Sequence, residues 1–173
     1  LDHALRTHRV RTSELTESYL VQLLTDLGSP RRRPHGPNRT TLVEMLIEAQ
    51  DARGSEKANR YRELGDSALL WSGVFRERLL HRGMSLSYYE SMGKTAYSRA
   101  GHLHRALRAS PLDELCLELE AKFTPIADAL VEATPLGVDE SNQGLVNLLG
   151  RFQRHQRPWM KEFLEQKGFD FDA

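Results

Sequence analysis

The sequence contains little cysteine and no excess of either charge. Cys116 is the single cysteine among 173 residues, so the chain can form no internal disulfide and no cysteine-based zinc site. The 24 basic and 24 acidic side chains cancel, so the chain as a whole has no attraction for nucleic acid or anionic lipid. We therefore expect a protein of a reducing compartment, the cytoplasm, and we disfavour nucleic acid as a partner.

Long apolar runs are also missing. No stretch approaches 18 consecutive apolar residues, so we expect no membrane-spanning helix and no membrane partner. Residues 1–11 are basic and are followed by no apolar run of the kind a signal peptide needs. We expect them to form a frayed or loosely helical N-terminal arm on a soluble domain.

Motifs for catalysis and for metal binding are absent or incomplete. Gly93-Lys94-Thr95 lacks the glycine that a phosphate-binding loop carries five positions earlier, where this chain has Tyr88. His102 and His104 are two residues apart in a predicted helix, on faces separated by roughly 200°, and therefore cannot ligate one metal together. We interpret both as surface histidines and Cys116 as an inert core thiol. The sequence assigns no catalytic residue, no metal ligand and no cofactor.

Helical periodicity is what the chain does contain. Apolar residues recur at steps of three and four in most segments, and no segment shows convincing strand alternation. We therefore predict that residues 1–173 form a single all-α domain, a bundle of seven or eight helices. A Pro/Arg loop is expected at 29–39 and a tail at 168–173. In the third helix, which follows Thr40 or Thr41, we expect burial of Leu42, Val43, Leu46 and Ile47.

We predict that residues 61–107 form the centre of the bundle. They are expected to make two long antiparallel helices joined by a tight turn at 82–85. The first helix is apolar on nearly every side, since Leu69, Leu70 and Leu80 lie opposite its main apolar stripe. Ser87 and Glu90 have the spacing of a capping box at the start of the second helix. We expect this hairpin to be buried from both directions.

Four glycines fall inside these two predicted helices, where each costs about 0.5–1 kcal/mol relative to alanine. They are Gly65, Gly73, Gly93 and Gly101. We interpret them as points where another helix approaches the backbone closely, and close approach of a ligand is the alternative.

Asp66 lies on the second face of the first hairpin helix, where a buried carboxylate needs a partner. The structural interpretation is that a tyrosine hydroxyl donates to it. The functional interpretation is an interhelical pocket in which aromatic side chains line a small molecule and Asp66 fixes a polar or cationic group. The candidate ligand-binding residues are Asp66, Trp71, Tyr88, Tyr89 and Tyr97.

Two groups of basic residues are candidates for contact with a polyanion, although a solvated face is the favoured interpretation of both. They are Arg31, Arg32 and Arg33 in the predicted loop, and Arg151 and Arg154 near the C-terminus. Arg76 and His81 have a spacing used by helical ribonucleases, in which arginine stabilises a phosphorane-like transition state and histidine moves a proton. That spacing is short and often arises by chance.

One pattern in the hairpin resembles a group of known sequences. The hairpin is similar to a pattern in small all-helical bacterial proteins of unassigned function, through Leu64-Gly65-Asp66, Ala68-Leu69-Leu70, Ser72-Gly73-x-Phe75, Tyr88-Tyr89, Gly93 and Ala96-Tyr97. The resemblance covers about a fifth of the chain and implies a bacterial origin and a helical fold, and it transfers no chemistry.

Three functions remain open on the sequence. The favoured one is a non-enzymatic, regulatory or protein-binding helical module that binds a protein partner or a second copy of itself. The alternatives are a small-molecule or cofactor binder that uses the aromatic pocket, and a nuclease-like domain that uses Arg76 and His81.

Overall fold

The computed structural model describes residues 1–28, 41–109, 111–133, 140 and 142–171. The predicted loop at 29–39 and the last two residues of the predicted tail lie outside these ranges. All regular secondary structure in the described residues is helical, which confirms the all-α prediction. The described helices are α1 (Asp2–Thr7), α2 (Glu14–Gly28), α3 (Leu42–Asp51), α4 (Gly54–Ser72), α5 (Arg76–His81), α6 (Leu86–Ala106), α7 (Leu112–Ala121), α8 (Phe123–Ala133), α9 (Asn142–His155) and α10 (Pro158–Gln166).

The predicted central hairpin consists of α4 and α6, which pack along each other while α3, α7 and α8 pack on the pair. Tyr61 of α4 contacts Arg99 of α6, and Ala68 lies beside Gly93, so the two helices run antiparallel. Leu69 and Leu70 are 0% and 2% exposed, as expected for a helix covered on both faces. The bundle is therefore organised around α4.

The first helix of the hairpin is interrupted, which the sequence did not predict. α4 ends at Ser72, and Gly73 lies outside the helix with φ −102° and ψ −89°. A Cβ atom on Gly73 would lie 2.8 Å from Cβ of Leu130, so close approach of α8 accounts for the glycine. After the break, α5 buries Leu79 but turns Leu80 outward, where it is 53% exposed. The expectation that Leu80 is buried was wrong.

The second helix of the hairpin begins earlier than its capping box suggested. Ser85 is the N-cap of α6, and its hydroxyl accepts a hydrogen bond from the backbone N–H of Tyr88. Ser87 lies inside the first turn, so the capping box predicted at Ser87 and Glu90 is wrong. Two other helices are also capped by hydroxyls: Ser13 accepts from the backbone N–H of Thr16 at the start of α2, and Thr41, one of the two residues expected before α3, accepts from the backbone N–H of Glu44.

Burial differs from expectation on α3 and in the N-terminal arm. Val43 and Ile47 were expected in the core but are 50% and 52% exposed, because no described helix covers their side of α3. In residues 1–11, by contrast, α1 packs against α8 and buries Ala4 and Leu5.

The C-terminal helices α9 and α10 pack on each other around a small apolar cluster of their own. Leu148, Met160 and Leu164 are fully buried in it, and Phe169 and Phe171 of the predicted tail pack against it. This cluster is separate from the apolar core that surrounds α4 and α6.

Candidate functional site

The Asp66 carboxylate is held by tyrosines of two neighbouring helices. The Tyr97 hydroxyl of α6 donates to Oδ1 of Asp66 at 2.8 Å, and the Tyr19 hydroxyl of α2 lies 2.7 Å from both carboxylate oxygens. The structural interpretation of Asp66 is therefore confirmed for Tyr97. Tyr19 was not among the predicted residues, and no local signal links it to an aspartate 47 positions away.

Burial controls the protonation of this group. Loss of hydration raises the pKa of Asp66 to about 6, and the tyrosine hydrogen bonds and the nearby Arg62 charge keep that pKa from rising further. Burial, reinforced by the Asp66 charge, raises the pKa of Tyr19 and Tyr97, so both hydroxyls remain donors at neutral pH. The net effect of the surroundings therefore favours the protonated form of Asp66 relative to an exposed carboxyl, although the group is still mostly ionised at pH 7.

Two other titratable groups lie close enough to Arg62 to feel its charge. Cys116 is fully buried, and burial raises the pKa of its thiol to about 12, as expected for an inert core cysteine. His104 is only 2% exposed, so the surface interpretation of this histidine was wrong. His104 is buried because it lies on the same face of α6 as Gly101, and that face packs against Leu117 of α7. Burial lowers the pKa of His104, and the Arg62 charge lowers it further.

Side chains of neighbouring helices lie directly against three glycines of the hairpin. A Cβ atom on Gly65 would lie 2.7 Å from the Tyr97 ring, one on Gly101 would lie 2.8 Å from Leu117, and one on Gly93 would overlap the Phe123 ring. The packing interpretation of these glycines is confirmed. Side chains fill the space that the predicted aromatic pocket would need.

The remaining predicted aromatic residues do not converge on Asp66. Trp71 packs against Phe75 with ring centroids 5.1 Å apart, and Tyr88 and Tyr89 form a T-shaped pair at 5.4 Å. Tyr89 is buried, whereas Tyr88 is 40% exposed. Of the predicted aromatic set, Tyr97 alone contacts the carboxylate within the described residues.

Of the basic residues predicted to contact a polyanion, the structure describes Arg151 and Arg154. Arg31, Arg32 and Arg33 lie outside the described residues. Arg151 is mostly buried, and its guanidinium donates to Glu77 at 2.9 Å and to the backbone carbonyl of Val131. Arg154 is exposed. The guanidinium of Arg151 is therefore engaged within the protein.

Arg76 and His81 lie at opposite ends of the short helix α5. The Arg76 guanidinium donates to the Ser72 carbonyl at 2.6 Å and contacts Asp128 at 2.7 Å, which ties α5 to α4 and α8. His81 is exposed. Arg76 thus has a structural role at the helix break.

A groove of about 610 Å³ opens on the surface between α3 and α6. Its apolar lining is Leu46 of α3 with Tyr88 and Met92 of α6, and the polar lining comes from serine, threonine, glutamine and arginine side chains. Beside it, the exposed side chains of Val43 and Ile47 form the crest of α3. At about 100° per residue, Val43, Leu46 and Ile47 lie on one side of the helix, so crest and groove are adjacent.

Metal binding and membrane insertion gain no support from the described residues. They contain no group of three or more histidine, cysteine, aspartate or glutamate side chains that could hold a metal ion. In the same residues, every helix is too short or too polar to span a bilayer. No family model matches the chain, and neither a curated protein nor a solved structure is significantly similar to it.

Proposed function

We propose that this chain is a non-enzymatic protein-binding module whose binding surface is the groove between α3 and α6. The observation that supports the proposal is the exposure of about half of Val43 and of Ile47, at 50% and 52%, directly beside an apolar groove. Apolar side chains on the surface of a folded domain lose water favourably when a partner covers them, at about 25 cal/mol per Å².

The shape of the surface favours a helical partner. Two helices, α3 and α6, border the groove, and Leu46 of α3 and Met92 of α6 belong to its apolar lining. An amphipathic helix can place side chains spaced at i, i+3, i+4 and i+7 into such a groove, which is a common mode of peptide recognition. A volume of about 610 Å³ is enough for several such side chains.

The proposal also covers the cellular compartment and the source of the module. We place it in the cytoplasm, because its single thiol is buried and unpaired, as is usual in a reducing compartment. A bacterial source is proposed from the resemblance of the hairpin pattern alone.

The two alternatives draw less support. A small-molecule site at Asp66 would have to displace the hydroxyls of Tyr19 and Tyr97, which already occupy the carboxylate. A nuclease-like site would need the guanidinium of Arg76, which is bonded to Ser72 and Asp128.

A helical peptide with leucines at i, i+3, i+4 and i+7 tests the proposal by isothermal titration. We expect micromolar binding, about −7 kcal/mol, and at least a tenfold loss for Val43→Lys because a charge then faces the bound apolar stripe. The matched control is Val21→Lys, since Val21 is 51% exposed on α2 and does not line the groove. Absence of binding, or equal loss in both variants, would contradict the proposal.

A further inference from the structure

The face that carries the groove has a shape that can pair with itself. A two-fold symmetric interface requires one surface to present both a projection and the recess that receives it. Here the projection is the α3 crest of Val43 and Ile47, and the recess is the groove lined by Leu46 and Met92. Crest and recess lie side by side, so the crest of one copy can enter the groove of another while its own groove receives the second crest.

We infer that the occupant of the α3–α6 groove is a second copy of this chain, docked through a two-fold axis that runs along the helices. This inference rests on the proposed function and names its partner. In the docked pair, each α3 lies between α3 and α6 of the other copy. The side of α3 that borders its own groove then faces the other α3, and the opposite flank faces the other α6.

The charges on those flanks are complementary. Glu44, Glu48 and Asp51 are exposed and lie about 80–140° round α3 from Val43, on the flank away from its own groove. The exposed arginine on the groove side of α6 is Arg99. Docking therefore brings an acidic flank from one copy against a guanidinium of the other.

The positions of Glu48 and Arg99 along the bundle can be compared through their contacts to α4. Glu48 lies 3.7 Å from Arg60, and Arg99 donates to the hydroxyl of Tyr61, the next residue of α4. Glu48 and Arg99 therefore contact adjacent residues of α4 and lie at similar heights along the bundle. Rotation about a two-fold axis parallel to the helices leaves the height of each residue along the bundle unchanged. Glu48 of each copy therefore faces Arg99 of the other.

The size of the face indicates a reversible dimer. A helix of 10 residues, the length of α3, is about 15 Å long. The paired faces therefore fall at the low end of specific interfaces, below about 1,200 Å² in total. We expect a dissociation constant on the order of 10 μM, so monomer and dimer interconvert with concentration.

Sedimentation velocity of the full chain, over about a hundredfold concentration range around that constant, is the first test. We expect a reversible shift from monomer to dimer that Ile47→Lys weakens at least tenfold and Val21→Lys leaves unchanged. A chain that stays monomeric throughout while still binding the helical peptide would overturn the second copy as occupant and leave the proposed function standing. A chain that neither dimerises nor binds the peptide would defeat both.

A charge exchange tests the docking geometry. Arg99→Glu and Glu48→Lys should each weaken the dimer about fivefold or more, and the double variant should recover most of the wild-type affinity because the pair is restored with opposite polarity. Because Arg99 also donates to Tyr61, circular dichroism should first establish that each variant is folded. Dimerisation that ignores both single changes, or a double variant weaker than either, would refute this arrangement.

Discussion

The α4–α6 hairpin and the C-terminal helices α9 and α10 are held in the molecule by different interactions. Between α4 and α6, glycines let aromatic rings lie directly on the backbone, as Tyr97 lies on Gly65. The C-terminal helices instead reach the rest of the chain through polar contacts from Arg151, Arg157 and Trp159. Separating the hairpin would expose the main apolar core, whereas releasing the C-terminal pair would leave its own cluster packed.

The buried carboxylate of Glu132 is the centre of the C-terminal attachment. Arg157 contacts one carboxylate oxygen at 3.1 Å and His8 contacts the other at 3.2 Å, while the Trp159 indole donates to the backbone carbonyl of the same residue. Arg157 also donates to Thr7 at 2.8 Å. One glutamate of α8 thus joins the first and last parts of the chain, and the comparison predicts that the two regions respond to different changes.

Arg157→Met should have the largest effect, because it leaves Glu132 charged and buried without its guanidinium partner. We expect a loss of about 3 kcal/mol in the free energy of unfolding. Hydrogen exchange should show lost protection in α9 and α10 while the amides of α4 and α6 stay protected.

The matched control for that change is Lys161→Met on the same helix. Lys161 pairs with Glu165 at 3.4 Å, and the two side chains are 39% and 42% exposed, so loss of this solvent-screened pair should change stability by less than about 0.5 kcal/mol. Equal loss of protection in α4–α6 and α9–α10 in the Arg157 variant would show that the two regions unfold as one unit.

Asp66→Asn tests the polar group within the hairpin through its pH dependence. The pKa of Asp66 is raised to about 6, above its unfolded value of about 3.9, so the native state binds the proton more tightly. The wild type should therefore gain about 2 kcal/mol of stability as the pH falls from 7 to 4. Urea unfolding across that range should show the gain, and the asparagine variant should lack it.

Glu118 supplies a control of opposite sign. Burial would raise its pKa, but hydrogen bonds from Lys122, Ser13 and Thr16 outweigh that effect and lower it to about 2. The contribution of Glu118 to the free energy of unfolding is therefore present at neutral pH and is lost as the pH falls from about 4.5 towards 2. Glu118→Gln should remove that loss and leave the Asp66 gain between pH 7 and 4 largely intact. An unchanged profile in Asp66→Asn would contradict the assignment.

The smallest expected effects come from a pair of glycines, one in each region. Gly93→Ala should destabilise by about 1–2 kcal/mol, because the new methyl group overlaps the Phe123 ring. Gly150→Ala in α9 should stabilise by about 0.5–1 kcal/mol, since among the described residues its Cβ would meet only Arg154, at 3.8 Å, and alanine favours the helix. Thermal unfolding of both variants measures the difference, and shifts of the same sign would argue against it.

The sequence predicted those parts of the fold that depend on local pattern. The helical class, the start of α3 after Thr41 and the turn between His81 and Leu86 follow from 3.6-residue periodicity and local helix start and stop signals. The close approaches at Gly65, Gly93 and Gly101 were predicted from the cost of glycine within a helix. The break after Ser72 was not predicted, because a glycine indicates a close approach, as of α8 at Gly73, but not whether the helix continues past it.

The candidate site was harder to predict for a related reason. Periodicity marks an apolar face on α3, but it does not say whether another element covers that face, so Val43 and Ile47 were assigned to the core. A need for a partner at Asp66 was predictable from burial of charge, whereas the arrival of Tyr19 from another helix depends on the packing of α2. Topology decides both outcomes.

The burial of Cys116 makes the chain a reporter of its own fluctuations. As the sole thiol, with its sulfur enclosed and its pKa raised to about 12, it should react with an alkylating reagent only during rare openings of the surrounding helices. The labelling rate of the unmodified protein would then report the population of that open state, without an introduced probe.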